Sequence, residues 1–318
     1  MAGNVLNATL NDGNKMPLIG LGTSRELGDA LKTMLNLALE IGYRHIDTAH
    51  AYQNEAAIGE VLKTWLDSGK IKREELFVVT KLPGMGNRAE SVEKYLKQSL
   101  QDLQLSYVDL YLVHSPVGSI EGTSNNPMDR AVDMNTDHIS LWKAMEAQVD
   151  AGRARSIGLS NFNARQVKRI VRAARIPPAS LQVELNVYFQ QRELVAFCRA
   201  LDVSVCAYSP LGSPGSRFRA TGNWPTQDPV VLAVANKHNK TAGQVLLRHH
   251  VQRGIVAIPK STNPSRLKEN LQVFDFQLDD EDMEKLAALD KRAKGRMFFQ
   301  NQSKSSEGHP EYPFKDLY

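Results

Sequence analysis

The 318-residue sequence contains only two cysteines, Cys198 and Cys206. Both stand in apolar surroundings, without CxxC spacing, so a disulfide scaffold is not expected and they read as reduced core thiols. No apolar run is long enough to cross a bilayer. The opening MAGNVLNATLNDGNK lacks the basic-then-apolar order of a secretory signal. No block of one charge stands out either. The formal charge is +4, with Lys and Arg spread along the chain, which argues against a nucleic-acid surface but leaves room for a local anion site. A cytoplasmic, soluble protein is expected.

What is present is ordinary globular composition, 42% hydrophobic and 23% charged. The length suits a single α/β barrel spanning residues 1–318. Asn11-Asp12-Gly13-Asn14 lies between Val5–Leu10 and Lys15–Leu21 and signals a hairpin, with Gly13 taking the positive φ. A strand–helix alternation then begins. The strands are MPLIGLG, Tyr43–Asp47, Leu76–Lys81, Val108–His114, Ser156–Ser160, Leu181–Glu184, Val203–Tyr208 and Ile255–Pro259. They are short and rich in Val, Ile and Leu, as strands covered on both faces must be. About eight such units predict a (β/α)8 TIM barrel; a doubly wound open sheet is the competitor. Ser115–Asp137, Gly212–Gln227 and the tail from Lys291 fall outside the repeat and are expected to fold over one face.

Nearly every apolar run ends in a polar residue. In chain order these are Gly22 and Thr23, Asp47, Lys81, His114, Ser160 and Asn161, Gln182 and Glu184, Tyr208 and Ser209, and Lys260 and Ser261. In a barrel those positions share the face that carries catalysis. The stretch HIDTAHAYQNEAAIGEVL is the densest. Asp47 leaves a strand, Tyr52 sits in the loop, and Asn54 is placed to cap a helix that buries Ala57, Ile58, Val61 and Leu62.

Asp47, Tyr52, Lys81 and His114 suit proton transfer to an oxygen. A free phenol near pKa ~10 is a poor donor at neutral pH, and an adjacent ammonium lowers it. Lys81 is expected to supply that ammonium, with Asp47 keeping it charged and His114 orienting a carbonyl. A structural Asp47–Lys81 ion pair, a turn-capping Asp47 and a rim histidine are the plainer alternatives. A Schiff-base Lys81 is a further one. Carbonyl reduction also needs a hydride, which no side chain donates. Gly20-Leu21-Gly22 is followed by Arg25 where a dinucleotide fingerprint needs glycine, so that motif is rejected. Phosphate chemistry gathers instead in IPKSTNPSRLKEN. There Lys260, Ser261 and Arg266 cluster at a strand end and helix start, as an adenosine 2′-phosphate would require; the alternative is a solvated basic helix start.

GYRHIDTAHAYQNEAAIG, LVHSP, SIGLSNF, VCAYSPLG and IPKSTNPSRLKEN, taken together, resemble the aldo-keto reductase superfamily from end to end. The resemblance implies a barrel, NADPH, a small-molecule carbonyl substrate, no metal and a monomer. It implies a tetrad of Asp47, Tyr52, Lys81 and His114, with Tyr52 as general acid. Ser160, Asn161 and Gln182 resemble the partners of the nicotinamide amide, and Tyr208 the ring stacked on it. Gly22, Thr23, Asp47, Ser209, Leu211, Ser213, Thr262, Glu269 and Asn270 complete the implied cofactor contacts, with Lys260, Ser261 and Arg266 at the 2′-phosphate. Ser24, Pro83 and Ser115 stand where aldose-reductase-like members carry tryptophans. With Tyr52 and His114 they are the expected substrate contacts, in a pocket wide enough for a bulky ketone. Gly215 replaces an acidic residue of the loop over the pyrophosphate, so faster cofactor release is expected. HSPVGSIEG and the following insertion are most similar to insect members, some of which reduce 3-oxo ecdysteroids. A general small-aldehyde reductase and a non-catalytic NADPH-binding scaffold are the other readings.

Overall fold

The computed structural model describes residues 6–123, 130–214, 224–298 and 304–315. Its strands in chain order are β1 (Asn7–Thr9), β2 (Lys15–Pro17), β3 (Leu21–Gly22), β4 (His45–Asp47), β5 (Phe77–Leu82) and β6 (Val108–Val113). They continue with β7 (Gly118–Ser119), β8 (Val132–Asp133), β9 (Ala154–Ser160), β10 (Ser180–Glu184), β11 (Ser204–Tyr208) and β12 (Val256–Ile258). Eight of them, β3–β6 and β9–β12, pair in parallel in one sheet. The edges meet: Ile19 bridges Ala257 in parallel, and Gly20 and Gly22 donate N–H bonds to Ala257 O (2.9 Å) and Pro259 O (3.1 Å). The sheet is therefore the expected (β/α)8 barrel.

Close packing explains the two glycines of the rejected dinucleotide motif. A Cβ on Gly20 would stand 2.6 Å from the His45 ring, and one on Gly22 2.9 Å from Ile258 O. Gly22 thus lets strand one meet strand eight at the barrel's seam, and Gly20 makes room for the His45 ring of β4.

The helices are α1 (Gly28–Ile41), α2 (Glu55–Asp67), α3 (Ala89–Leu103), α4 (His138–Asp150), α5 (Ala164–Ala173) and α6 (Arg192–Ala200). After them come α7 (Pro229–His238), α8 (Ala242–Gln252), α9 (Pro264–Leu271), α10 (Asp280–Ala288) and α11 (Lys304–Glu307). Helices α7 and α10 lie outside the expected repeat. Each has a local start signal: Asp228 caps α7 ahead of Pro229, and Asp279 forms a capping box on α10. Both pack around Tyr188 and Leu246 in a satellite apolar cluster beside the main core. Among the described residues no helix is long and apolar enough to cross a membrane.

The hairpin β1–β2 is shorter than its sequence pattern, and Gly13 turns it at φ +87°. It sits against the strands' N-terminal ends, where Asn11 donates to Pro178 O and Asn14 to Ser156 Oγ. The loop after β6 is not structureless: β7 and β8 pair antiparallel at its base. The tail returns over the C-terminal ends. Buried Glu184 accepts the N–H groups of Met297 (2.7 Å) and Phe298 (2.9 Å), and Arg169 and Gln166 hold Glu311. Tyr312 and Phe314 pack against each other, and the Arg296 guanidinium stacks over Phe314. These tail aromatics cover the barrel beside the cleft, not its lining.

Candidate active site

Asp47 ends β4 and Lys81 lies near the end of β5, both buried; His114 follows β6. Strand alternation turns Lys81 into the barrel and its neighbour Thr80 outward. The Lys81 ammonium donates to Asp47 Oδ1 (2.6 Å) and Thr48 O (2.8 Å) and stands 3.5 Å from the Tyr52 hydroxyl. Gln182 donates to the other carboxylate oxygen of Asp47 at 2.7 Å. The sequence reading thus brought together four residues that do converge.

Their electrostatics differ from expectation at one point. Burial alone would lower the Lys81 ammonium, but Asp47 and Tyr52 outweigh it and hold its pKa above the ordinary value. The Tyr52 phenol also moves up, because burial outruns the lowering pull of Lys81. The expected net lowering is therefore corrected: in the protein alone Tyr52 keeps its proton firmly. Burial, then the Lys81 charge, push His114 down to about 3, so its imidazole is neutral. Its ring meets Tyr52 edge-on, with centroids 5.6 Å apart.

Tyr52 ends a single 3-10 turn, His50–Tyr52, and Gln53 follows with φ 55°. Asn54 does not cap α2 with its side chain, contrary to the sequence expectation. It is buried, donates to Thr23 O and Glu26 O, and accepts from Thr48 Oγ1. The amide is thus consumed in tying the loop after β3 to the loop that carries Tyr52. Helix α2 buries Ile58, Val61 and Leu62, with Ala57 half-buried.

Behind Lys81 lies Glu55, buried at the start of α2 and unnoticed in the sequence. It accepts from Thr80 Oγ1 (2.5 Å) and Ser99 Oγ (2.8 Å). Burial raises its carboxyl from 4.5 to about 7. The folded protein therefore holds this proton at pH values where the unfolded chain has lost it. Stability from this group is full below about pH 4.5 and falls as pH rises to about 7. That shift is worth about 3 kcal/mol. Glu55→Gln is expected to flatten this loss. Urea unfolding of both proteins at pH 5 and pH 8 checks it, and equal pH dependence would refute it.

The cluster opens into a cleft of about 990 Å³ lined by Thr23, Ser24, Asp47, Tyr52 and His114 at one end, with Gly22 beside Lys260. Lys260, Ser261, Thr262, Arg266, Glu269 and Asn270 line the other. Between them the wall is Ser160, Asn161, Gln182, Tyr208, Ser209, Leu211 and Ser213. Asn161, at φ 65°, donates to His114 O (2.9 Å) and accepts from the Tyr208 hydroxyl (2.9 Å). It therefore fixes both the histidine's backbone and the tyrosine ring. Ser209 and Ser213 also take positive φ and join through their hydroxyls. At the far end Asn263 caps α9 by accepting from Arg266 N, and Ser261 Oγ accepts from Asn263 N.

Two of the expected substrate contacts are elsewhere. Pro83 is buried and Ser115 turns its hydroxyl to Val117 N; neither lines the cleft. Gly215 lies outside the described residues. The sequence reading missed Phe298 of the tail, which enters the cleft edge-on to Tyr208 at 5.9 Å. It also missed Trp224 and Glu26 in the lining. No local motif marks these residues, since distant loops deliver them.

The Aldo/keto reductase family matches residues 19–291. Aldo-keto reductase family 1 member A1 of Mus musculus is 45% identical over 97% of this chain and 98% of its own. The Homo sapiens protein of the same name is 44% identical over the same shares. The chain belongs to the aldo/keto reductase family. The structure of the aldose reductase from Schistosoma japonicum superposes with a TM-score of 0.89 at 41% identity, covering 98% of this chain and 99% of that one. As an aldo/keto reductase the protein is an oxidoreductase acting on carbonyl groups. Membership also disposes of the open-sheet and Schiff-base alternatives.

Proposed function

We propose that the protein reduces an aldehyde or ketone to an alcohol with NADPH, Tyr52 giving the proton. The observation that carries this reading is one continuous cleft. It joins the Tyr52–Lys81–Asp47 cluster at its floor to Lys260 and Arg266 at its far end. The donor chemistry fits the cofactor: two cations, the Ser261 hydroxyl and the start of α9 suit a phosphate monoester. Lys260, Ser261 and Arg266 would hold the 2′-phosphate, with Ser160, Asn161, Gln182 and Tyr208 around the nicotinamide. When bound, NADPH supplies the hydride.

The protein's part is proton delivery and orientation. Tyr52 Oη is protonated at neutral pH and faces the cleft. As charge develops on the substrate oxygen, the proton passes to it, and the Lys81 ammonium 3.5 Å away stabilises the phenolate left behind. Asp47 keeps Lys81 charged, and Gln182 keeps Asp47 turned toward it. The neutral imidazole of His114 offers an N–H to the carbonyl oxygen without competing for the proton.

Ser24 leaves one wall open, which supports a bulky ketone such as a 3-oxo steroid. Phe298 and Trp224 narrow another wall, which favours the small-aldehyde alternative. A cytoplasmic monomer of one domain is the setting we assign; the two buried free thiols fit a reducing compartment. NADPH and NADH oxidation with a short aldehyde, an aromatic aldehyde and a steroid 3-ketone tests the reading. Turnover of the steroid with NADPH is expected. Small-aldehyde turnover alone would refute the bulky substrate, and no turnover at all would refute the enzyme.

A further inference from the structure

At the far end of the cleft the two basic groups are not equivalent. Lys260 Nζ is paired with Glu26 Oε1 at 2.6 Å, whereas no carboxylate of the described residues forms an ion pair with Arg266. Glu26 comes from the loop after β3, Lys260 from the loop after β12, and both line the cleft. Closure of the barrel makes these loops neighbours, 234 residues apart in sequence.

The carboxylate is not on a loose loop. The Glu26 carbonyl accepts from Asn54 Nδ2 at 3.0 Å, and the same amide holds Thr23 O at 2.9 Å. Asn54 is itself fixed by the buried Thr48 hydroxyl. A buried strut beneath the Tyr52 loop thus aims Glu26 at Lys260. Glu26 is half-buried, which reduces solvent screening of its charge.

Resting on the NADPH reading, we propose that Glu26 is a specificity-determining residue that competes with the cofactor's 2′-phosphate for Lys260. A phosphate monoester carries about −1.5 to −2 charges at neutral pH. To reach Lys260 it must displace the Glu26 carboxylate or share the ammonium with it at close range. Either route weakens the phosphate's hold. A cofactor lacking the 2′-phosphate brings no charge to this point and is indifferent to Glu26. The residue therefore lowers NADPH affinity selectively and eases release of the phosphorylated cofactor.

The test uses the full chain and two probes without nicotinamide, adenosine 2′,5′-bisphosphate and 5′-AMP, titrated by calorimetry. Glu26→Gln is expected to tighten the bisphosphate by roughly two- to fivefold, the scale of a partly exposed ion pair. The 5′-AMP affinity should not change. Glu26→Ala should behave alike, and either change should have no effect in a Lys260→Met background. Unchanged or weakened bisphosphate binding would overturn the proposal, weakening meaning that Glu26 holds Lys260 in place for the phosphate. Wild-type protein binding both probes equally would overturn the phosphate reading of Lys260, and the proposal with it. That failure is visible before any Glu26 variant is made.

Discussion

Tyr52→Phe is expected to cut kcat by about 10²–10⁴-fold, the usual range for a lost general acid, while NADPH binding persists. The phenyl ring keeps the edge contact with His114, and only the hydroxyl 3.5 Å from Lys81 disappears. No other side chain can take over the proton. Asp47 and Tyr52 hold the Lys81 ammonium charged against the opposing effect of burial, and His114 is a neutral imidazole. Cofactor titration by tryptophan fluorescence, run beside steady-state turnover, separates binding from chemistry. Wild-type rates from this variant would sink the proposed acid. Lost cofactor binding would mean that Tyr52 shapes the cleft.

Lys81→Met should damage both activity and stability. The ammonium is almost wholly buried and neutralises a buried Asp47 at 2.6 Å. Removing it leaves the Asp47 carboxylate, among the described residues, with the Gln182 amide alone, since Thr23 bonds its main-chain carbonyl. Breaking one side of such a buried pair costs about 3–5 kcal/mol. Adding Asp47→Asn removes the stranded charge, so the double variant should regain much of the stability by urea unfolding. It should remain inactive, since no cation is left to stabilise a Tyr52 phenolate. An active double variant would reduce the pair to a structural ion pair. A single variant as stable as wild type would show that the Asp47 carboxylate does not depend on Lys81 for its stability in the fold.

These two experiments probe what the sequence disclosed most clearly. Lys81 and His114 each close a short Val- and Leu-rich run and Asp47 follows Ile46, and that pattern survives into the fold because parallel strands buried on both faces need such runs. The phosphate-end residues were legible for a similar reason. Asn263-Pro264 starts α9 by local capping chemistry, which sequence alone carries.

By itself, then, the sequence determined the barrel, the order of its strands and the polar residues at their C-terminal ends, because periodicity and capping act over a few residues. Only the tertiary structure decided what those residues touch. Asn54 reads as a helix cap and is instead a strut to Thr23 and Glu26, since pairing of β3 with β4 brings the loop after β3 within reach of its amide. The Tyr52 pKa rises although Lys81 is adjacent, since burial depends on every element packed around the ring. Ser115 turns its hydroxyl to Val117 N, whereas Phe298 enters the cleft because Glu184 pins the tail's backbone across the strand ends. Glu26 meets Lys260 only where strand one closes on strand eight. Contacts over such separations are set by packing of the whole chain, and no local pattern encodes them.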